Sequence, residues 1–267
     1  MSHLVGALDG KRVVIVGGVG EGIGRAITRA VAAAGARAVA VVGRNLDRAR
    51  IAANEIAGLG CDAIALAANV QSSMDTIRVV GAAIEAFGGI DVLITVVGGF
   101  ALYADWKPVE RTTDEDWNLI MDINLTYVFR YVRAVAPVFA QQGTGGSIVS
   151  IGSLAGADAS PKAAAYGAAK AGLINLAKTV STEQGREGVR MNVLNCGLVD
   201  TKGGRQGVAR GLDVAAIPLA RMGDAAEIAQ AVVFLASPLS GYISGQALNI
   251  DGAVSARSHF GVGKRPG

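Results

Sequence analysis

The chain has 267 residues, of which 51% are apolar, 5% are aromatic and 37 are glycine, a composition that builds a large core from small aliphatic side chains and excludes a disordered chain. A net charge of +3 with scattered bases lacks the electrostatic footprint of a nucleic-acid binder, and two cysteines, Cys61 and Cys196, far apart in sequence, make neither a disulfide framework nor a zinc site. The longest charge-free run, 134–157, is broken by Pro137 and "QQGTGG", and the opening "MSHLVGALDGKR" has no long apolar stretch, so no membrane span or secretory leader is read and the cytoplasm is the expected location.

From residue 12 onward the sequence alternates between two patterns. "RVVIVG" (12–17) reads as a strand buried on both faces and is followed by the helical "GRAITRAVAAAGA" (24–36). The strand "RAVAVVG" (37–43) precedes the helix "LDRARIAANEIAGLG" (46–60), and the strand "DAIALAA" (62–68) precedes the helix "MDTIRVVGAAIEAFGG" (74–89). Further strands are expected at "IDVLITVVG" (90–98), "GSIVSIG" (146–152), "VRMNVLN" (189–195) and "ALNID" (247–251). The helices carry apolar residues three and four apart and end at glycines suited to a left-handed stop. Strand and helix in repetition predict a parallel sheet with right-handed crossovers. No linker or low-complexity tract interrupts the rhythm, so 1–267 is read as one doubly wound α/β domain. His3 and His259, the only histidines, are read as surface residues near the ends.

In a doubly wound sheet the ligand crevice lies beyond the carboxyl ends of the strands. There, directly after the first strand, stands "VGGVGEGIGRA", with Gly18, Gly22 and Gly24 in a G-x-x-x-G-x-G spacing. One glycine permits a tight turn, one lets the main chain approach a pyrophosphate, and one lets the helix pack against the strand. The helix beginning near Gly22 would aim free N–H groups at the phosphates. A tight turn without a ligand is the alternative, and the position in the first βα unit favours the dinucleotide.

The second strand ends in "VVGRN", where a free ribose 2′-OH calls for a carboxylate and a 2′-phosphate for a cation. Gly43 offers no carboxylate and Arg44 offers a guanidinium, which favours NADP(H). Glu21 in the loop opposes the same phosphate, so NAD(H) stays open. Further on, Tyr166 and Lys170 are four apart, on one face of a helix, and Ser153 follows the strand "GSIVSIG" at another carboxyl end.

Taken in order, these motifs resemble the short-chain dehydrogenase/reductase family over nearly the whole chain. The resemblance rests on the glycine loop, Asn124 in "MDINLTYVF", Ser153 in "SIGSLAG", Tyr166-x-x-x-Lys170, "CGLVDT" and the closing "RMGDAAEIAQAVVFLASPLSGYISGQALNIDGA". It implies a Rossmann-like, seven-stranded parallel sheet in a three-layer α/β/α arrangement, assembled as a homotetramer or dimer. It implies that Tyr166 is the general acid of ketone reduction and the base of alcohol oxidation, with Lys170 lowering its pKa and holding the nicotinamide ribose. Ser153 would hold the substrate oxygen, and Asn124 would position a water linking Lys170 to solvent.

The same resemblance assigns cofactor binding to Gly18, Gly22, Ile23, Gly24, Arg44, Asn69, Val70, Gly98, Tyr166, Lys170, Gly197, Val199 and Thr201, and no metal. The chain departs from the family pattern at Gly17, where Thr is usual, and at Asn69, where Asp is usual. It departs again at Thr95-Val96-Val97-Gly98, in place of Asn-Asn-Ala-Gly, and at Cys196, in place of Pro.

The Gly-rich segment 202–218 would be a substrate lid. Its Lys202, Arg205 and Arg210 either greet an anionic substrate or form a solvated helix face. Phe100, Tyr103 and Trp106 line an apolar pocket, pack in the core or meet another subunit. The expected function is NADP(H)-preferring interconversion of a carbonyl compound and a secondary alcohol by hydride transfer. The alternatives are a 3-oxoacyl-thioester reductase and a non-catalytic dinucleotide-binding sensor or scaffold. The expected partners are a small-molecule substrate and further copies of the chain, with no nucleic acid and no membrane.

Overall fold

The computed structural model describes residues 4–209 and 211–256, so His3, Arg210 and His259 lie outside the described residues. The chain runs β1 (Arg12–Val16), α1 (Ile23–Ala33), β2 (Ala38–Gly43), α2 (Leu46–Ala57), β3 (Asp62–Ala67), α3 (Ser73–Phe87) and β4 (Val92–Thr95). It continues through α4 (Asp114–Met121), α5 (Tyr127–Gln142), β5 (Gly146–Ser153), α6 (Ala164–Gln184), β6 (Val189–Cys196), α7 (Lys202–Ala209), α8 (Ala225–Ala236) and β7 (Ala247–Ile250). The strands form one parallel sheet in the order β3-β2-β1-β4-β5-β6-β7.

Alternation along each central strand feeds a core on both faces. Val13 and Ile15 point into the layer formed with α1, α2 and α8, while Val14 and Val16 point into the layer formed with α3 to α6. A fully buried side chain such as Ile15 or Leu93 contributes roughly 1.5–3 kcal/mol. That two-sided burial explains the uninterrupted aliphatic runs. The edge strands differ from expectation: β3 and β7 are only partly covered, since each has a neighbour on one side alone. Among the described residues no helix is long and apolar enough to cross a membrane.

The order of strands reverses between β1 and β4, and the crevice of a doubly wound sheet opens at such a point. There β4 stops at Thr95, short of the Val96, Val97 and Gly98 that the apolar run would include. The Val96 and Val97 N–H groups both turn to the Val16 carbonyl, at 2.8 and 3.3 Å, and lead the chain out of the sheet. At the last rung the Thr95 hydroxyl donates to Ser150 Oγ at 2.8 Å, so this departure from the family pattern keeps a hydrogen bond across the strands.

Helix ends follow the glycines with small offsets. α3 stops directly on left-handed Gly88, whereas α1 and α2 end before Gly35 and Gly60, which carry the positive φ. Between α4 and α5 the helix widens into a π turn, Asp122–Thr126, which turns Asn124 into the protein.

Candidate active site

A continuous cleft of about 2200 Å³ follows the carboxyl ends of the strands. Its wall brings together Gly22, Ile23, Gly24, Arg44, Gly98, Ser153, Tyr166, Lys170, Gly197, Val199 and Thr201. Gly18, Asn69, Val70 and Asn124 stand off that wall. Gly18 lies against α1, Val70 is buried in the core, Asn124 lies behind Gly98 and Gly99, and Asn69 Oδ1 accepts the Gln71 N–H in a local turn.

The first loop is shaped by what a side chain would strike. Gly17 and Gly22 adopt φ of +104° and +116°, a region that favours glycine. A Cβ on Gly24 would lie 2.1 Å from the Gly17 carbonyl oxygen, so α1 crosses the loop in direct backbone contact. A Cβ on Gly22 would come within 3.0 Å of Thr201, keeping these two walls close. From inside α1, Thr28 Oγ1 donates in a shared fashion to the Gly18 and Gly24 carbonyls, at 3.0 and 3.1 Å, and ties the loop to the helix.

The electrostatics of this end favour an anion. α1 has no side-chain cap and no acidic residue in its first turn, so its leading N–H groups are left for a ligand. Arg44 and Arg48 both reach the wall and make no ion pair among the described residues. Arg25 and Arg29, by contrast, are both held by Glu55. Glu21 also lines the cleft. A Cβ on Gly43 would meet Val19 at 2.4 Å, which leaves little room for a carboxylate there.

At the other end, α6 starts at Ala164 and presents Tyr166 and Lys170 one turn apart, with Lys170 Nζ 5.7 Å from the Tyr166 ring centre. Lys170 is buried and donates to the Ile151 carbonyl at 2.8 Å. Ser153, the last residue of β5, accepts the Ala155 N–H at 3.2 Å through its hydroxyl oxygen, which leaves its own proton to point elsewhere. Cys196 is the register partner of Ser153 on β6 and sits beside the same group. Burial pushes the Cys196 thiol up to about 12 against the pull of Lys170.

The expected lowering of the Tyr166 pKa by Lys170 is corrected here. Enclosure of the phenol raises it, because desolvation penalises the phenolate, with the neighbouring Ser153 hydroxyl opposing. Lys170 itself is pushed down to about 8 by burial, with Cys196 opposing.

Asn124 closes the floor. Its Oδ1 accepts the Gly99 N–H at 2.9 Å and its Nδ2 donates to the Gly99 and Ile120 carbonyls, each at 3.0 Å. A Cβ on Gly98 would come within 2.6 Å of that Oδ1 and 3.3 Å of Lys170 Nζ, so Asn124, Gly98 and Lys170 form one packed unit.

The segment 202–218 comprises α7 and a short turn, Val214–Ala216, and supplies Lys202 and Leu212 to the wall, while Arg205 is held by Asp200 at 2.6 Å. Phe100 and Trp106 line the cleft, and Tyr103 packs against the core. Sequence reasoning missed Arg48 and Thr28. Thr28 had a signal, because it lies four residues beyond Gly24 on the same helix, whereas Arg44 precedes the cap of α2 and its spacing to Arg48 carries none.

A family model described as enoyl-(acyl carrier protein) reductase matches residues 18–255. The chain is 35% identical to a 3-oxoacyl-[acyl-carrier-protein] reductase of Synechocystis over 91% of its length and 96% of that protein. It is 34% identical to a sorbitol dehydrogenase of Cereibacter sphaeroides over 92% of its length and 97% of that protein. Its fold superposes on the crystal structure of a short-chain type dehydrogenase/reductase from Mycobacterium marinum with a TM-score of 0.85 and 29% identity, covering 95% of this chain and 98% of that one.

Proposed function

The chain belongs to the short-chain dehydrogenase/reductase family and is an oxidoreductase, and from that premise we propose that it prefers NADP(H) and interconverts a ketone and a secondary alcohol with Tyr166 as proton donor. The observation that carries the reading is the enclosed group of Ser153, Tyr166 and Lys170 in the same cleft as an uncapped helix N-terminus, flanked by two arginines that make no ion pair among the described residues.

The first turn of α1 and the glycine loop would hold the pyrophosphate, and Arg44 with Arg48 the 2′-phosphate. Gly98, Gly197, Val199 and Thr201 would line the nicotinamide half, with Lys170 on the ribose. When bound, NADPH supplies the hydride. The raised pKa of Tyr166 keeps its Oη protonated at neutral pH, the form that donates to a carbonyl oxygen as negative charge develops there. The Ser153 hydroxyl, whose oxygen accepts the Ala155 N–H and which neighbours the Tyr166 phenol, would donate its proton to the same oxygen. Protonated Lys170 would stabilise the phenolate left behind.

The segment 202–218 would close over the substrate, within a single domain. Exposed Trp117 and Phe129 on α4 and α5, and Leu239, Tyr242 and Leu248 near the β7 edge, support a homo-oligomer. A 3-oxoacyl thioester as substrate is the second reading, supported by the names of relatives such as the Synechocystis protein. The complete polar group argues against a purely binding role.

Two outcomes are expected. Replacing Arg44 and Arg48 together by Ala raises the NADPH dissociation constant about 10- to 100-fold, the size of one or two charge-assisted contacts, and leaves that of NADH within about twofold. Equal losses for both nucleotides would remove the 2′-phosphate assignment. Carbonyl reduction, measured as kcat/KM, falls as pH rises through about 8, because Lys170 is a cation below that value and neutral above it. In Lys170→Arg, whose side chain stays charged, any remaining activity lacks that fall.

A further inference from the structure

The cleft wall beyond Tyr166 is aromatic. The Phe100 ring centre lies 6.1 Å from that of Tyr166 at 38° and 6.5 Å from that of Trp106 at 41°, so a run of rings leads outward from the phenol. Those centroid separations fall within the range of neighbouring aromatic rings, with a tilt between stacked and edge-on.

The loop that carries this wall is fixed at several points. Asn124 holds both backbone groups of Gly99, the residue before Phe100. The Tyr127 hydroxyl donates to the Val97 carbonyl at 2.7 Å. The Lys107 N–H, next to Trp106, donates to the Lys162 carbonyl at 3.0 Å and ties the far end of the loop to the segment that enters α6. The aromatic wall and the phenol are therefore set relative to one another before any substrate arrives.

The remaining surface here is apolar, with Leu154, Leu198, Leu212 and Ile217 on the wall. Charged side chains of both signs also reach the wall, among them Asp158, Asp213, Lys162 and Lys202, while Arg205 is tied to Asp200. Asp213 also caps the turn Val214–Ala216.

We propose, resting on the carbonyl reduction argued above, that the preferred substrate is an uncharged ketone with a planar aromatic ring beside the carbonyl carbon. The ring lies against Phe100 and Trp106 and the oxygen meets Tyr166 and Ser153. A saturated ring of similar size buries comparable area without the ring quadrupole, and because the two ketones also differ in intrinsic carbonyl reactivity, it is the change of their ratio on replacing Phe100 or Trp106 that isolates the aromatic contact.

The test measures kcat/KM with NADPH for 1-phenylethanone, cyclohexyl methyl ketone, and the 3-oxobutanoyl thioesters of N-acetylcysteamine and coenzyme A. The aryl ketone is expected to exceed the cyclohexyl ketone about tenfold, the size of one to two aromatic contacts. The coenzyme A thioester is expected to be no better than the N-acetylcysteamine thioester. Phe100→Leu and Trp106→Leu each reduce the aryl preference to about twofold or less, with the NADPH dissociation constant unchanged. Should one variant fail to fold, the other carries the comparison.

Faster turnover of either thioester than of the aryl ketone overturns this inference alone, as does an aryl preference that neither variant moves. A protein that binds NADPH and reduces none of these compounds overturns the proposed activity and this inference with it.

Discussion

Tyr166→Phe is expected to lose about a thousandfold in kcat for carbonyl reduction while the NADPH dissociation constant stays within a fewfold of the parent. The change deletes one oxygen. Its loss leaves the substrate oxygen with the Ser153 hydroxyl as its remaining donor and no acid to deliver a proton. A thousandfold corresponds to about 4 kcal/mol of barrier, within the range of a positioned general acid. The fold is expected to be retained, because the phenyl ring that meets Phe100 at 6.1 Å is kept. The check is cofactor oxidation by steady-state absorbance beside an equilibrium titration of NADPH. Residual activity above about a tenth of the parent would remove Tyr166 as proton donor.

Gly24→Ala is expected to abolish measurable cofactor binding, at least about a hundredfold in dissociation constant, and to cost roughly 1–3 kcal/mol of stability by overpacking. The added methyl would stand 2.1 Å from the Gly17 carbonyl oxygen, and both partners are main chain, so the loop or the start of α1 must move. That displacement also strains the Thr28 bridge to Gly18 and Gly24. Gly20→Ala supplies the contrast, since a Cβ there meets nothing within 4 Å. Thermal unfolding is expected to drop for the first variant and stay unchanged for the second. Parental stability and affinity in Gly24→Ala would show that the close crossing of α1 over the loop is not what shapes the phosphate site.

The strands were legible because a parallel sheet covered on both faces demands unbroken runs such as "RVVIVG" and "RAVAVVG", and the order of residues records that demand directly. The end of β4 was not, because it depends on two N–H groups sharing the Val16 carbonyl, a contact between segments far apart in the chain. The spacing of Tyr166 and Lys170 fixed their common face on α6, yet it did not reveal the direction of the Tyr166 pKa shift. Charge proximity can be inferred from spacing, whereas desolvation depends on everything packed around the phenol.

Asn124 shows the same division. Its place in the motif was readable, while its grip on Gly99 follows from a π turn that side-chain periodicity does not announce. The spacing of Thr28 from Gly24 was readable, while its second contact, to the Gly18 carbonyl, depends on the path of α1 across the loop.

The most direct test of the central claim is a calorimetric titration of the purified protein with NADPH and, separately, with NADH. Tight binding of NADPH and weak binding of NADH are expected, the difference arising at Arg44 and Arg48. Tighter binding of NADH would mean that Glu21 outweighs the two arginines. Binding of neither nucleotide would contradict the assignment of the glycine loop and, with it, the reading of this cleft as a dinucleotide site.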